Sequence, residues 1–392
     1  MRFMHCATAA ALAIGAALAM PALAQQQGVT DTEIVIGDIL PLTGPPALLG
    51  VAHNIGVKLA VAEVNAAGGI HGRKLRLISE DDGYVVSRTL QGVRKLVTVD
   101  KVFALTSISG AAQGQAALPL LKELGVPAIS TISFSDDIHT PPTRNVFAFG
   151  TKHPLVSEQL VRALAERNPG KKWALVSQDD EYGELTREGF DAAAKALKLN
   201  VVFKAVYKKG QVDFSSEMLR AKEAGAEVLF AGGVVGENVA MVKELDRLGL
   251  KIPVGISFVS RVPVALKLMG PAGENVHVAD YVVAEDSPRG KAFLDKAKAL
   301  LSAEDFGKVN RFTFTGYAGA KTMFEAFSRC GKALTWACTI TQLDSLKDFD
   351  PGVLASGVSF SPTSHISLQR LALLKANVET QSFKPMPVKT GP

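Results

Sequence analysis

Residues 34–82 read IVIGDILPLTGPPALLGVAHNIGVKLAVAEVNAAGGIHGRKLRLISEDD, and this stretch decides the fold. Ile34, Val35, Ile36, Ile39 and Leu40 form a nearly continuous apolar run, as in a strand covered on both faces. The turn at 41–46, rich in Pro and Gly, stops it. Val51, Ile55, Leu59, Ala62 and Ala66 then recur at steps of three or four, which predicts a helix. Gly68 and Gly69 supply the left-handed backbone that ends it. A second strand at 75–79 leads to the acidic pair Asp81 and Asp82. A strand-loop-helix-strand unit implies parallel pairing through a right-handed crossover. Ligands of such units bind beyond the carboxyl ends of the strands, here near 42–49 and 81–84.

The same alternation continues. Helices are expected at 87–99 and 111–124, strands at 102–106 and 127–130, and an irregular segment at 131–143. A second cycle places helices at 154–167, 184–197, 215–224 and 236–248 between strands at 173–177, 201–207, 228–231 and 253–256. The fold class is therefore α/β, with two doubly wound parallel-sheet lobes. Residues 276–283 read as extended and should lead the chain back to the first lobe. Helices at 290–301, 313–328 and 335–346 follow, then late strands at 358–360 and 367–375. The end beyond Phe383 reads as a loose tail.

Residues 1–24 have the pattern of an export signal: Arg2, an Ala-rich apolar run, and Ala22-Leu23-Ala24 before Gln25. That run is shorter than the ~20 residues a spanning helix needs, and no later stretch reads as a span. The mature chain is thus expected in the periplasm, without stable membrane insertion. With 43 basic and 38 acidic residues interspersed, no basic stripe suited to nucleic acid emerges. Cys330 and Cys338 are expected to close a small disulfide loop in an oxidising compartment, the alternative being two free buried thiols.

Catalytic patterns are missing. His53, His71, His139, His153, His277 and His365 are scattered, with no H-E-x-x-H. There is no G-x-S-x-G elbow and no G-x-x-x-x-G-K-[ST] phosphate loop. Asp81-Asp82 and Asp179-Asp180 read as strand-end residues that cap helices. No catalytic residue, metal or cofactor is expected, and the chain is read as a binding protein.

The opening IGDILPLTGP, the helix end VNAAGGIHGRKL and the following EDD resemble the leucine/isoleucine/valine-binding family of ABC-transporter substrate-binding proteins. GVPAIS (125–130), DDEYGE (179–184) and DFSSEMLRAKEAGAEVLFAGG (213–233) extend the resemblance in the same order. It implies a type I periplasmic binding fold with a three-segment hinge. The N-terminal lobe would comprise 28–147 plus 282–354, and the C-terminal lobe 148–281 plus 355–384, leaving 385–392 as tail. It also implies a monomeric receptor that closes over a small molecule and meets membrane permease subunits. A ligand-sensing module for a regulator or signalling partner is the rival reading.

By position, the resemblance implies ligand contacts from Leu49, Ser109, Ala111, Ala112, Gln113, Ser133, Phe134 and Ser135 in the first lobe. Tyr182, Val234, Val235 and Phe258 are their counterparts in the second. The helix start near Ala111 suits a carboxylate. Phe258 stands where amino-acid-binding members carry the acid that pairs the ligand's ammonium, with Glu237 and Asp280 as the other acids in reach. An ammonium buried without an anion is costly. An aromatic or apolar carboxylate or amide is therefore expected ahead of a branched-chain amino acid.

Overall fold

The structure, a computed structural model, describes residues 26–44, 46–108, 110–130 and 140–386. The expected export signal, Ser109, Ser133, Phe134, Ser135 and the tail beyond 386 lie outside the described residues.

The first cycle runs β1 (Glu33–Leu40), α1 (Ala47–Ala66), β2 (Lys74–Asp81), α2 (Val86–Thr98), β3 (Ala104–Ile108), α3 (Ala111–Leu124), β4 (Ala128–Ser130) and β5 (Val146–Gly150). The second runs α4 (His153–Arg167), β6 (Lys172–Gln178), α5 (Glu181–Leu197), β7 (Asn200–Tyr207), α6 (Ser215–Glu223), β8 (Val228–Gly232), α7 (Val235–Arg247), β9 (Val254–Ile256), α8 (Pro263–Met269) and β10 (Val276–Asp280). The chain then forms α9 (Pro288–Leu300), α10 (Ala303–Phe306), α11 (Arg311–Cys330), α12 (Trp336–Asp344), β11 (Ile366–Leu368), β12 (Ala372–Asn377) and β13 (Ser382–Pro385).

Two sheets result, in the orders β11-β5-β4-β3-β1-β2 and β13-β12-β10-β9-β8-β6-β7. Every pairing in the first is parallel. Strands β3, β5 and β8 are buried along their whole length, as helices on both faces require. From β1 the chain steps to β2 on one side and β3 on the other; from β6 it steps to β7 and β8 likewise. Each sheet thus has a switch point, and the crevices there open onto the loops after β1, β3, β6 and β8.

Several expectations need correction. The second sheet does not close at β9: β10 extends it, and β12 and β13 add an antiparallel edge. The late strand expected at 367–375 is two strands in different sheets, because β11 joins β5 while β12 pairs β10. Residues 366–368 thus belong with the first sheet, not with the C-terminal lobe. Val358 makes only an isolated bridge to Phe349. Lys384 and Pro385, expected in a loose tail, pair with β12.

Helix α1 is long and apolar enough to cross a membrane by composition, against expectation, but half of that window is buried. It lies on α11 at close range: a methyl on Gly56 would overlap the Thr313 carbonyl, and one on Gly316 the His53 carbonyl. Cys330 and Cys338 are disulfide-bonded, with Cα atoms 5.9 Å apart, tying the end of α11 to α12.

Candidate functional site

The first wall of the crevice is the start of α3. Gly110 precedes it with φ 77°, a left-handed geometry that favours glycine, and as the N-cap it brings no side chain to cap the first-turn N–H groups. A Cβ on Gly110 would overlap Gln113 Oε1 and stand 2.8 Å from the Tyr84 ring. Gln113 is buried, and its Oε1 accepts no hydrogen bond among the described residues. Ala111 is half-buried and Ala112 exposed on the same first turn. Unpaired N–H groups at the positive end of a helix dipole can take an anion.

Beneath α3, His53 joins Ser107 Oγ at 2.6 Å and Thr315 Oγ1 at 3.2 Å. Burial, aided by Arg311, holds His53 down to about 3, so it is neutral at ordinary pH. Asp81 accepts the N–H groups of Leu42, Thr43 and Gly83 and the Thr43 hydroxyl. That pins the loop leading to Leu49, which packs half-buried on the core. Asp82 accepts from Tyr84 N and Thr89 Oγ1. Both carboxylates brace loops and neither is the cap of a helix, since the N-cap of α2 is Val85; of the two acidic pairs, Asp180 is the one that caps.

The second wall is aromatic. Asp180 caps α5 by accepting the Gly183 N–H at 3.0 Å, which fixes the first turn that carries the half-buried Tyr182. The Tyr182 ring lies 4.7 Å from that of His153, its hydroxyl donating to the Gly233 carbonyl at 3.4 Å. His153 meets Phe258 edge-on at 6.0 Å, and Phe258 meets Tyr281 at 5.5 Å. Burial lowers His153 to about 4 and raises Tyr182 and Tyr207 above the ordinary phenol range. The imidazole is neutral and the phenols remain donors. Val234 caps and Val235 opens α7, both half-buried beside the Gly233 carbonyl.

Phe258 itself is fully buried, with the Arg311 guanidinium 4.7 Å above its ring. Asp280, one of the two alternative acids, is consumed: it accepts from Arg311 Nε at 3.0 Å and Nη2 at 2.8 Å, and from Arg261 Nη1 at 2.8 Å. Glu237 is buried in the first turn of α7, where the helix dipole favours it and Gly210 N–H donates to it at 3.2 Å.

Tyr182 and Phe258 thus share His153, whereas Gln113 lies with Gly110 and Tyr84 on the opposite lobe. Sequence reasoning missed His153, Tyr281 and Arg311. Their one-dimensional context is a helix start, a strand end and another helix start, and only chain crossing brings them together. A hollow of about 420 Å³ lies between α1 and α11, lined by Glu63, Lys321, Phe324 and Phe349. It sits at the far end of α1, and its carboxylate is engaged by Lys296, Tyr317 and Lys321. Among the described residues no group of three or more His, Cys, Asp or Glu side chains could hold a metal.

The model of the periplasmic binding protein family matches residues 33–381. A Leu/Ile/Val-binding protein homolog 7 from Brucella abortus (strain 2308) is 25% identical over 376 aligned positions, covering 91% of this chain and 92% of that protein. An ABC-transporter solute-binding protein from R. palustris, in complex with 4-hydroxybenzoate, superposes with a TM-score of 0.79 at 21% identity, covering 91% of this chain and 96% of that one. A branched-chain amino acid ABC transporter protein from Thermus thermophilus with bound valine gives 0.82 at 21% identity, covering 93% and 96%. With two sheets of doubly wound order and a family match along nearly the whole described chain, this protein belongs to the periplasmic binding protein family.

Proposed function

We propose that the chain is the solute receptor of an ABC importer, exported by its leader, that shuts two lobes over an aromatic or apolar carboxylate or amide. Proteins of this family bind small ligands for ABC transporters and are not enzymes. The observation that carries the ligand class is the pairing of the uncapped α3 start against the Tyr182–His153–Phe258 wall, with Gln113 Oε1 left to accept from a hydroxyl or amide N–H of the ligand. One face offers donors to a carboxylate; the other offers apolar rings backed by a guanidinium, with Asp280 already engaged. Asp280 is taken by two arginines, which leaves Glu237, accepting the Gly210 N–H, as the acid an ammonium would have to reach. The R. palustris relative with its benzoate and the Thermus relative with its valine bracket the choice.

The lobes are built on the two sheets, with 366–368 added to the N-terminal one, and the receptor works as a monomer. To move closure from rare to dominant, the ligand must favour the closed form by about 5.5 kcal/mol. Two or three charge-assisted hydrogen bonds at about 1.5–3 kcal/mol each, with ring burial, are of that size. The test is calorimetry and thermal shift of the mature chain against 4-hydroxybenzoate, benzamide, leucine and valine. A response to leucine or valine with none to the aromatic compounds would reverse the ligand preference. No response to any small acid, amide or amino acid would remove the receptor reading.

A further inference from the structure

Tyr84 stands in the loop between β2 and α2 with φ 63°, directly after Gly83 at φ 53°. A bulky residue in left-handed backbone is an outlier, and such conformations persist only when their surroundings hold them. Here Asp82 does so, accepting the Tyr84 N–H at 2.9 Å while it anchors Thr89 at 2.8 Å. The geometry turns the ring away from its own helix and onto Gly110, where only a glycine leaves it room: the ring would stand 2.8 Å from a Cβ there.

From the other lobe, the ammonium of Lys209, just after β7, lies 5.0 Å from the centre of the same ring. Burial raises the phenol above its ordinary range, helped by Asp180 at the start of α5, Asp82 on its own loop and Glu181. Arg88 faces Gly83 from α2. Tyr84 thus touches the α3 start on one side and is held by the second lobe on the other, while remaining 38% exposed at the rim.

We propose that Tyr84 is the gate of the ligand crevice, its ring covering the start of α3 and being clamped by Lys209 as the lobes close. The inference rests on the reading of the α3 start as the ligand's anion site. In the closed form the ring shields the Gly110 end of α3 from water. Opening the lobes withdraws Lys209 and frees the ring, so the gate adds to closure without belonging to the ligand's own contacts. The pairing is a cation over an aromatic face, so it is the ring rather than the hydroxyl that counts.

Two measurements test it. In ligand-free protein, spin labels at Lys122→Cys on α3 and Lys195→Cys on α5 report the distance between lobes. Tyr84→Ala and Lys209→Ala should each reduce the short-distance population, while Tyr84→Phe should not. With 4-hydroxybenzoate, or valine if that is the probe retained, Lys209→Ala should raise the dissociation rate about two- to five-fold. Tyr84→Ala should raise it at least as much, and the double variant should show no further gain. Distances and dissociation rates that both stay at wild-type values in Tyr84→Ala overturn the gate. If no probe is retained, the receptor reading fails separately, and the ligand-free distances alone decide: an unchanged distribution then overturns the gate and a reduced short-distance population supports it.

Discussion

Replacing Asp280 with Asn should be among the most damaging single changes in the molecule. The carboxylate is fully buried at the end of β10 and accepts four hydrogen bonds: two from Arg311, one from Arg261 and one from the Val282 N–H at 3.1 Å. Arg261 has a second anion in Glu285 at 2.6 Å and two carbonyls, those of Val282 and Val283. Arg311 pairs with Asp280 and otherwise faces the rings of Phe258, Tyr281 and Phe312 at 4.7, 5.2 and 4.8 Å. Neutralising Asp280 leaves that guanidinium buried beside rings and an amide. Removing one partner of such a pair costs about 3–5 kcal/mol. The exposed Lys171–Glu227 pair, by contrast, should contribute no more than about 1 kcal/mol. Urea unfolding at pH 7 measures both, and Arg311 and Asp280 replaced together by apolar residues should recover much of the loss. A cost below about 1 kcal/mol for Asp280→Asn would refute the view that this carboxylate holds α11 to the second sheet.

Asp38 is buried on β1 and held up to about 6 by desolvation, against the hydrogen bonds from Asn54 and Ser79. Its folded value exceeds its unfolded one, so the proton favours folding. That contribution is complete below about 3.8 and is lost as pH rises through about 6, amounting to about 3 kcal/mol. Asp38→Asn should therefore gain stability over wild type at pH 8 relative to pH 4; equal differences at both pH values in urea melts would contradict this. Replacing Cys330 and Cys338 with Ser should cost about 2–3 kcal/mol by releasing a short loop, read as the thermal midpoint with and without reductant. Gly110→Ala should abolish retention of 4-hydroxybenzoate or valine, because a methyl overlaps Gln113 Oε1 and φ is left-handed; wild-type affinity in a folded variant would exclude the α3 start from the site.

Alternation of strand and helix was legible because its causes are local. Ile34 to Leu40 must be buried on both faces, Gly68 and Gly69 must end a helix, and Asp81, Asp82 and Asp180 must satisfy loose N–H groups near them in sequence. Two lobes with crevices at the strand ends follow from that pattern, as does the disulfide, whose cysteines are eight residues apart. Which sheet a short strand joins was not legible: β11 and β12 are separated by three residues, yet pair with β5 in one sheet and β10 in the other. Their partners lie some 220 and 95 residues upstream, and no local periodicity encodes that choice.

The site divides the same way. From its own neighbourhood, each chain segment determined where a loop would fall and which helix start would lie open: the turn after β3, the capped turn before Tyr182, the glycines after β8. Only tertiary structure decided what faces those loops. It set Arg311 over Phe258, gave Asp280 to two arginines, and laid Tyr84 between Gly110 and Lys209. The physical reason is that backbone hydrogen bonding and burial periodicity act over a few residues, whereas pairing of charges and rings depends on chain crossings.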